Sequence, residues 1–477
     1  MEGRSPGSGT LPKKERVRRL GNLATPEKIR NLQRKLYVKA KNEPGYRFYV
    51  LYDKVYREDI LLHGYNVAKA NEGAPGVDGV TFEQIEKGEG VAALLATLKE
   101  ELKAGTYRPQ PVRRVYIPKP EGGQRPLGIP TIRDRVAQAA AKIVLEPIFE
   151  ADFTENAYAY RPKRNARQAI EQVHGLLKDG YTDVVDADLS KYFDTIPHSE
   201  LMRSVARRVS DRKILALLKL WLRAPVEERS ETGKRRLTGA GSQGVGTPQG
   251  GVISPLLANV YMRRFLLAWE QWELPKKLQA HVVNYADDFV ILCRGTAQEA
   301  RSAAEGIVQR LKLTMNAEKT RVVNAWREPF DFLGYTFGRC FKAGSSRVYL
   351  GAKPAKKRVQ RFYAGLRDFL DRRNPLATKE VVYRVNSRLR GWAFYYSYGT
   401  VSRAYKKLDR LVADRLRAWL SDRHKVDGRG TRRFSDEVLY AEYGLLRLTV
   451  ALSTQRSNAR RESSPRAGCV NSARPVR

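Results

Sequence analysis

Hydrophobic and polar positions along this chain follow two rhythms, one of period two and one of helical spacing. Between residues 280 and 294, AHVVNYADDFVILCR holds two apolar runs rich in β-branched residues, joined through the acidic pair Asp287 and Asp288. The pattern predicts a hairpin of two buried strands with both carboxylates at its turn. Upstream, DVVDADLSKYFD (183–194) begins as a strand. A period of two puts Asp186 and Asp188 on one face of it, and Asp183 and Ala187 on the other. YRPQPVRRVYIPKPEGGQRPLGIP (107–130) alternates basic and β-branched residues around a Glu-Gly-Gly turn, which predicts a basic hairpin. RVVNAW and FDFLGYTFGR are two further short strand segments.

Helical spacing covers most of the rest. It starts after Thr25-Pro26, a cap followed by a first-turn proline, and breaks at the turn-rich GAPGVDGVTFEQI (73–85), where Thr81 and Gln84 have capping-box spacing. It returns over 133–180, over 199–224, and after the Gly-rich TGAGSQGVGTPQGG, which leads into VISPLLANVYMRRFLLAWEQW. A helix is expected around 296–314, and a helical module over 353–433. There is no internal repeat.

Charge changes the picture. The 88 Lys and Arg residues against 51 Asp and Glu give a formal net charge of +37, a field that implies a polyanionic partner, above all nucleic acid. Residues 353–433 alone carry 23 basic against 7 acidic residues, interleaved with aromatics in RFYAGLRDFL and LRGWAFYYSYG. The stretches 1–25 and 454–477 are basic and rich in Gly, Ser and Pro, as mobile arms are. No apolar run approaches the length needed to span a membrane, and the N-terminus lacks the apolar core of a secretory signal. The cysteines at 293, 340 and 469 and the five histidines form no zinc spacing. Any metal is therefore held by oxygen ligands.

Two adjacent carboxylates between buried strands repel and raise one another's pKa unless a cation neutralises them. Magnesium suits such a site, because it takes one or two carboxylates and completes its shell with water and substrate phosphate. Asp188, at the end of its strand, is the candidate to join Asp287 and Asp288. Three carboxylates around two Mg²⁺ about 3.5–4 Å apart would serve phosphoryl transfer by the two-metal route. The plain alternative is a helix cap for Asp188 and an ordinary turn for the pair.

With these residues in hand, the chain resembles a reverse transcriptase, and most closely those encoded by group II introns, which double as maturases. The matching blocks run in order: GAPGVDG, RPLGIPTIRDRVAQ, YRPKRNARQAI, DADLSKYFDTIPH, GTPQGGVISPLLANVYM, YADD, LKLTMNAEKT, FDFLGYTF and LRGWAFYYSYG, together covering roughly residues 25–450. The resemblance implies an α+β fold, a right-hand polymerase whose fingers and palm hold antiparallel sheet, followed by a helical thumb or maturase domain. It implies an N-terminal arm (1–25), N-terminal extension and fingers (26–180), palm (181–345), thumb (350–425) and a basic C-terminal segment (426–477).

The resemblance further implies that Asp188, Asp287 and Asp288 hold two Mg²⁺, and that Phe193 packs on the incoming sugar and excludes a 2′-hydroxyl; a core aromatic is the alternative for Phe193. Lys119 and Arg125 would grip the triphosphate, or be surface charges. Gln249, with Gly250 and Gly251, would lie beside the nucleotide, or only start a helix. Lys319 would protonate the leaving pyrophosphate or pair with a carboxylate, and Tyr285 would pack at the primer end or within its strand. Arg388, Arg390, Tyr395 and Tyr396 would face RNA, while Trp392 and Phe394 are expected to pack.

Two departures stand out: Ala159 replaces a common Gly, and Asn165 a common Ser, which leaves local backbone geometry open. The cysteine pairs of an HNH endonuclease are not seen, so no second-strand cleavage is expected. The implied activity is an RNA-directed DNA polymerase that binds a group II intron RNA, assists its splicing, and copies it at a target DNA. Its partners would be that RNA, an RNA template with a DNA primer, target DNA and dNTPs, in a bacterial-type cytosol or nucleoid. Alternatives are a splicing cofactor with an idle polymerase, a reverse transcriptase recruited to defence or diversification, and an RNA-dependent RNA polymerase.

Overall fold

In a computed structural model the described residues are 23–450, apart from 119–121, 230–234, 240–243, 343 and 429. Lys119, Cys469, and the stretches 1–22 and 451–477 of the two basic arms therefore lie outside the described residues. Among the described residues the strands are β1 (Val112–Pro118), β2 (Gln124–Ile129), β3 (Asp183–Asp188), β4 (Val226–Arg229), β5 (Arg235–Thr238), β6 (Ala280–Tyr285), β7 (Asp288–Cys293), β8 (Arg321–Asn324), β9 (Phe330–Phe332), β10 (Tyr335–Phe341) and β11 (Val348–Pro354). The chain forms two compact units. One is built from residues up to Pro162, Leu189–Gln271 and Gly306–Thr314; the other from Lys163–Asp188, Trp272–Glu305 and Met315 onward. No described helix is long and apolar enough to cross a membrane.

In the first unit the helix Ile132–Glu150 is buried on nearly every face and packs on Glu58–Ala70 and Glu27–Asn42. Thr131 caps it, and the buried Asp134 accepts from the Tyr107 hydroxyl (2.7 Å), the Thr131 hydroxyl (2.8 Å) and the Gln110 amide (3.0 Å). The basic hairpin forms as expected, with β1 and β2 antiparallel in a sheet ordered β2-β1-β4-β5. Strands β4 and β5 escape sequence reading because EERSETGKRRL is too charged to show an apolar period. The helical pattern over 133–180 breaks between Ala151 and Asn165, past Pro147 in the last turn of the first helix. The 199–224 segment likewise divides, into His198–Ala206 and Arg212–Leu222, where Asp211 caps the second helix through the Lys213 and Ile214 amides.

The second unit holds a fully antiparallel sheet ordered β6-β7-β3-β8 and a smaller one ordered β11-β10-β9. Val184, Val185, Val290, Ile291 and Leu292 have no exposed surface, as central strands covered on both faces require. Truncating Ile291 to Ala should cost about 2–5 kcal/mol, read by denaturant unfolding. The helix Ala166–Lys178 packs on β6 and β11 and starts with a capping box between Asn165 and Gln168, so asparagine serves the cap fully.

Among the described residues three α-helices follow, Lys356–Phe369, Thr378–Tyr395 and Ser402–Arg423, and then a short π-helical turn, Val438–Glu442. Trp392 packs as expected, against Tyr396 (ring centroids 4.6 Å apart), Phe362 and Tyr405. Two expectations need correction. Phe394 is 79% exposed, because two residues past Trp392 is about 200° around a helix. Tyr396, expected at an RNA surface, continues the buried stripe of Val385, Leu389 and Trp392 and is only 7% exposed.

Candidate active site

Strand β3 carries Asp188 at its last position, and its register with β7 sets Asp188 directly opposite Asp288. A two-residue turn, Ala286 and Asp287, joins β6 to β7 and is closed by the Tyr285↔Asp288 pair. Ala286 adopts φ 61°, a left-handed conformation strained for any residue with a Cβ. The buried Asn284 supports it by donating Nδ2–H to the Ala286 carbonyl at 2.8 Å. One end of one sheet thus gathers Asp188, Asp287 and Asp288.

Neighbouring side chains orient this cluster. Asn316 donates its amide to the Asp188 carbonyl at 2.8 Å and its Nδ2–H to Oδ2 at 3.3 Å. Lys319 places Nζ 3.6 Å from the same Oδ2, so the salt bridge weighed from sequence is present. Asp186, on the face of Asp188, pairs with Arg321 at 3.3 Å, and Arg321 also reaches Glu328 at 3.0 Å. Asn284, Asn316 and Arg321 were missed from sequence. The one available signal was a polar residue, Asn284, inside an apolar strand.

Burial first, then the charges of Asp287, Asp188 and Asp186, push the Asp288 carboxyl up to about 7 against the pull of Lys319. Asp288 as a residue is exposed at the strand end, so mutual repulsion is the firmer part of this shift. An acid whose folded pKa exceeds its ordinary 3.8 is stabilising while protonated, and that stability is lost as pH rises towards 7. Asp288→Asn should therefore melt higher than the native chain in metal-free buffer. The gap should open between about pH 4 and 7, hold above that, and shrink on adding Mg²⁺; thermal melts across pH read it.

Among the described residues no three His, Cys, Asp or Glu side chains close into a ready-made metal cage. The chemistry of the candidate donors nevertheless fits magnesium: all three are carboxylates, a cation would relieve the repulsion among them, and Mg²⁺ draws the rest of its shell from water and substrate phosphate.

The first unit holds Phe193, Gln249 and Arg125, three of the residues expected around a nucleotide. Phe193 is half-buried, edge-on to Tyr192 and Tyr160, and its carbonyl accepts from the Thr247 amide at 2.6 Å. Gln249 donates Nε2–H to Asp194 at 3.1 Å, and its carbonyl accepts from the Gly128 amide at 2.6 Å. That bond ties the Gln249 loop to β2, the strand carrying the exposed Arg125. Gly250 has φ 110°, and a Cβ there would lie 2.5 Å from the Gly128 carbonyl. Gly250→Ala should cost about 1–3 kcal/mol of local order and weaken nucleotide affinity, seen as a raised KM for dNTP. The buried Gln138, also missed from sequence, accepts from the Val252 amide at 2.8 Å and so fixes the helix Ser254–Gln271.

In the second unit Arg388 lies over the Phe369 ring at 4.2 Å and donates to the Gly365 carbonyl at 3.2 Å. Arg390 is exposed, and the partly exposed Tyr395 donates its hydroxyl to the Leu333 carbonyl at 2.8 Å. Tyr285 is half-buried at the end of β6.

Residues 117–337 match the family profile Reverse transcriptase (RNA-dependent DNA polymerase), and residues 359–435 match Group II intron, maturase-specific domain. Protein YkfC of Escherichia coli strain K12 is 36% identical over 344 residues, covering 64% of this chain and 87% of YkfC. The group II intron-encoded protein LtrA of Lactococcus lactis subsp. cremoris is 30% identical over 354 residues, which is 60% of this chain but only 56% of LtrA. A solved telomerase from Candida albicans, in complex with a fragment of telomeric RNA, aligns at TM-score 0.41 and 11% identity over 74% of this chain and 67% of that one. With a reverse transcriptase domain followed by a group II maturase domain, the chain belongs to the group II intron reverse transcriptase/maturase family.

Proposed function

We propose that this protein copies a group II intron RNA into DNA at a target site during retrohoming, and that it binds the same RNA to assist its splicing. The observation that carries the polymerase reading is the register that opposes Asp188 and Asp288 beside the Asp287 turn. Two Mg²⁺ held by these carboxylates would activate the primer 3′-hydroxyl and steady the triphosphate. The protein's own groups do the rest. Lys319 donates a proton to the departing pyrophosphate, and Asn316 keeps Asp188 oriented. Phe193 selects the sugar, Gln249 borders the nucleotide, and Lys119 and Arg125 grip its phosphates by point charge and fork. Tyr285 supports the primer end.

The boundaries proposed are those of arm, fingers, palm, thumb and basic tail read from the sequence. For the maturase role, Arg388, Arg390 and Tyr395 contact intron RNA, with Phe394 added and Tyr396 reassigned to packing. Binding stabilises the folded RNA, which performs the splicing chemistry itself. A splicing assay tests this part. At a magnesium concentration where the RNA alone is inert, adding the protein should yield ligated exons. If splicing is the same with and without protein, while the protein remains bound, the maturase role is lost.

A further inference from the structure

A second basic site lies in the first unit, and none of the residues lining it has a role above. Arg203 and Arg207, one turn apart at the end of the helix His198–Ala206, join Arg208 and then Arg263 and Arg264 of the helix Ser254–Gln271 around a cleft of about 250 Å³. Two carboxylates share it. Glu200 takes Arg264 at 2.9 Å, Arg203 at 3.2 Å and Lys312 at 3.4 Å; Asp152 takes Arg208 at 3.3 Å and Arg263 at 3.8 Å. Two negative charges thus face six positive ones.

The arrangement is graded by depth. Arg208 is buried and spent on the Glu43 carbonyl and on Asp152, so it supplies field and rigidity. Arg203 keeps 77% of its side chain in solvent, and Arg207 is exposed and forms no ion pair with any described residue. A floor of buried, fixed guanidinium groups under a rim of solvent-exposed ones suits an anion that arrives from outside. Arginine's planar fork matches phosphate oxygens. The lining offers no exposed aromatic on which a base could stack, only Phe149 and Val260 besides the charged residues and Ser204. That favours a sugar-phosphate backbone over a free nucleotide.

We infer that this arginine cleft is a docking site for the phosphodiester backbone of structured RNA, built from residues other than those of the thumb. It goes beyond the function proposed above but rests on the reading that the chain binds structured RNA. The exposed rim allows a test that leaves the fold intact. Bulk transfer RNA serves as probe, since backbone contacts are read from any structured RNA, and binding is followed by filter retention across a salt series.

For Arg203→Gln/Arg207→Gln, the slope of log affinity against log salt should fall by about 1.4–1.8, two phosphate contacts' worth. Affinity near 0.1 M salt should drop at least about tenfold, with an unchanged thermal melt. Arg203→Lys/Arg207→Lys should keep the slope. If the double glutamine variant binds transfer RNA with native affinity and slope, the cleft is not an RNA site, whatever it does with inorganic phosphate. If the native protein itself fails to retain RNA, it is the RNA-binding reading that falls instead.

Discussion

Replacing Asp188 by asparagine should leave a protein that folds, retains RNA and supports splicing, yet extends a primer at least about 10³-fold more slowly. The change removes one charge from the end of β3 and keeps the side chain's size, so the Asn316 contacts survive in part. Metal-assisted phosphoryl transfer draws several kcal/mol from charge stabilisation, and each 1.36 kcal/mol is tenfold in rate. RNA affinity comes from cations elsewhere on a chain of net charge +37 and should stay within about twofold. Single-turnover extension, RNA retention and splicing, run on one preparation, separate the two functions. A parallel loss of all three would mean that Asp188 supports the fold and not the chemistry.

The second large effect concerns sugar choice. Phe193→Ala should raise incorporation of ribonucleotides relative to deoxyribonucleotides by about 10²-fold, the range within which an apolar contact discriminates an added hydroxyl. The half-buried ring is braced edge-on by Tyr160 and Tyr192, so it is held in place and does not float in solvent. Deleting it opens space without removing any hydrogen-bonding side-chain group. Competition between ATP and dATP on a poly(U) template gives the ratio directly. An unchanged ratio with normal dATP turnover assigns Phe193 to packing alone.

How legible was this site beforehand? The strands of its sheet were, because VVNY and FVILC carry β-branched runs of strand length and the period of two put Asp186 and Asp188 on one face. What period cannot supply is register. That Asp188 faces Asp288 while Asp186 is taken by Arg321 depends on pairing across about a hundred residues, and no local pattern encodes it. Strands β4 and β5 were hidden for a different reason: their side chains are charged, and they are defined by backbone pairing to β1 and to each other. Tyr396 and Phe394 were misjudged although the signal existed. Following Val381, Val385, Leu389 and Trp392 by helical steps leads to Tyr396 and passes over Phe394. The supporting amides, Asn284 and Asn316, act through backbone and carboxylate contacts that only the folded chain brings together.

We propose that Asp188, Asp287 and Asp288 form the reaction centre of an RNA-templated DNA polymerase. The most direct measurement is extension of a labelled DNA primer on an RNA template with dNTPs and Mg²⁺, comparing the native protein with Asp287→Ala. The native protein should give full-length product, but none when Mg²⁺ is chelated, and the variant should give none. Equal extension by the two proteins, or none by either with primer and template bound, would contradict this assignment.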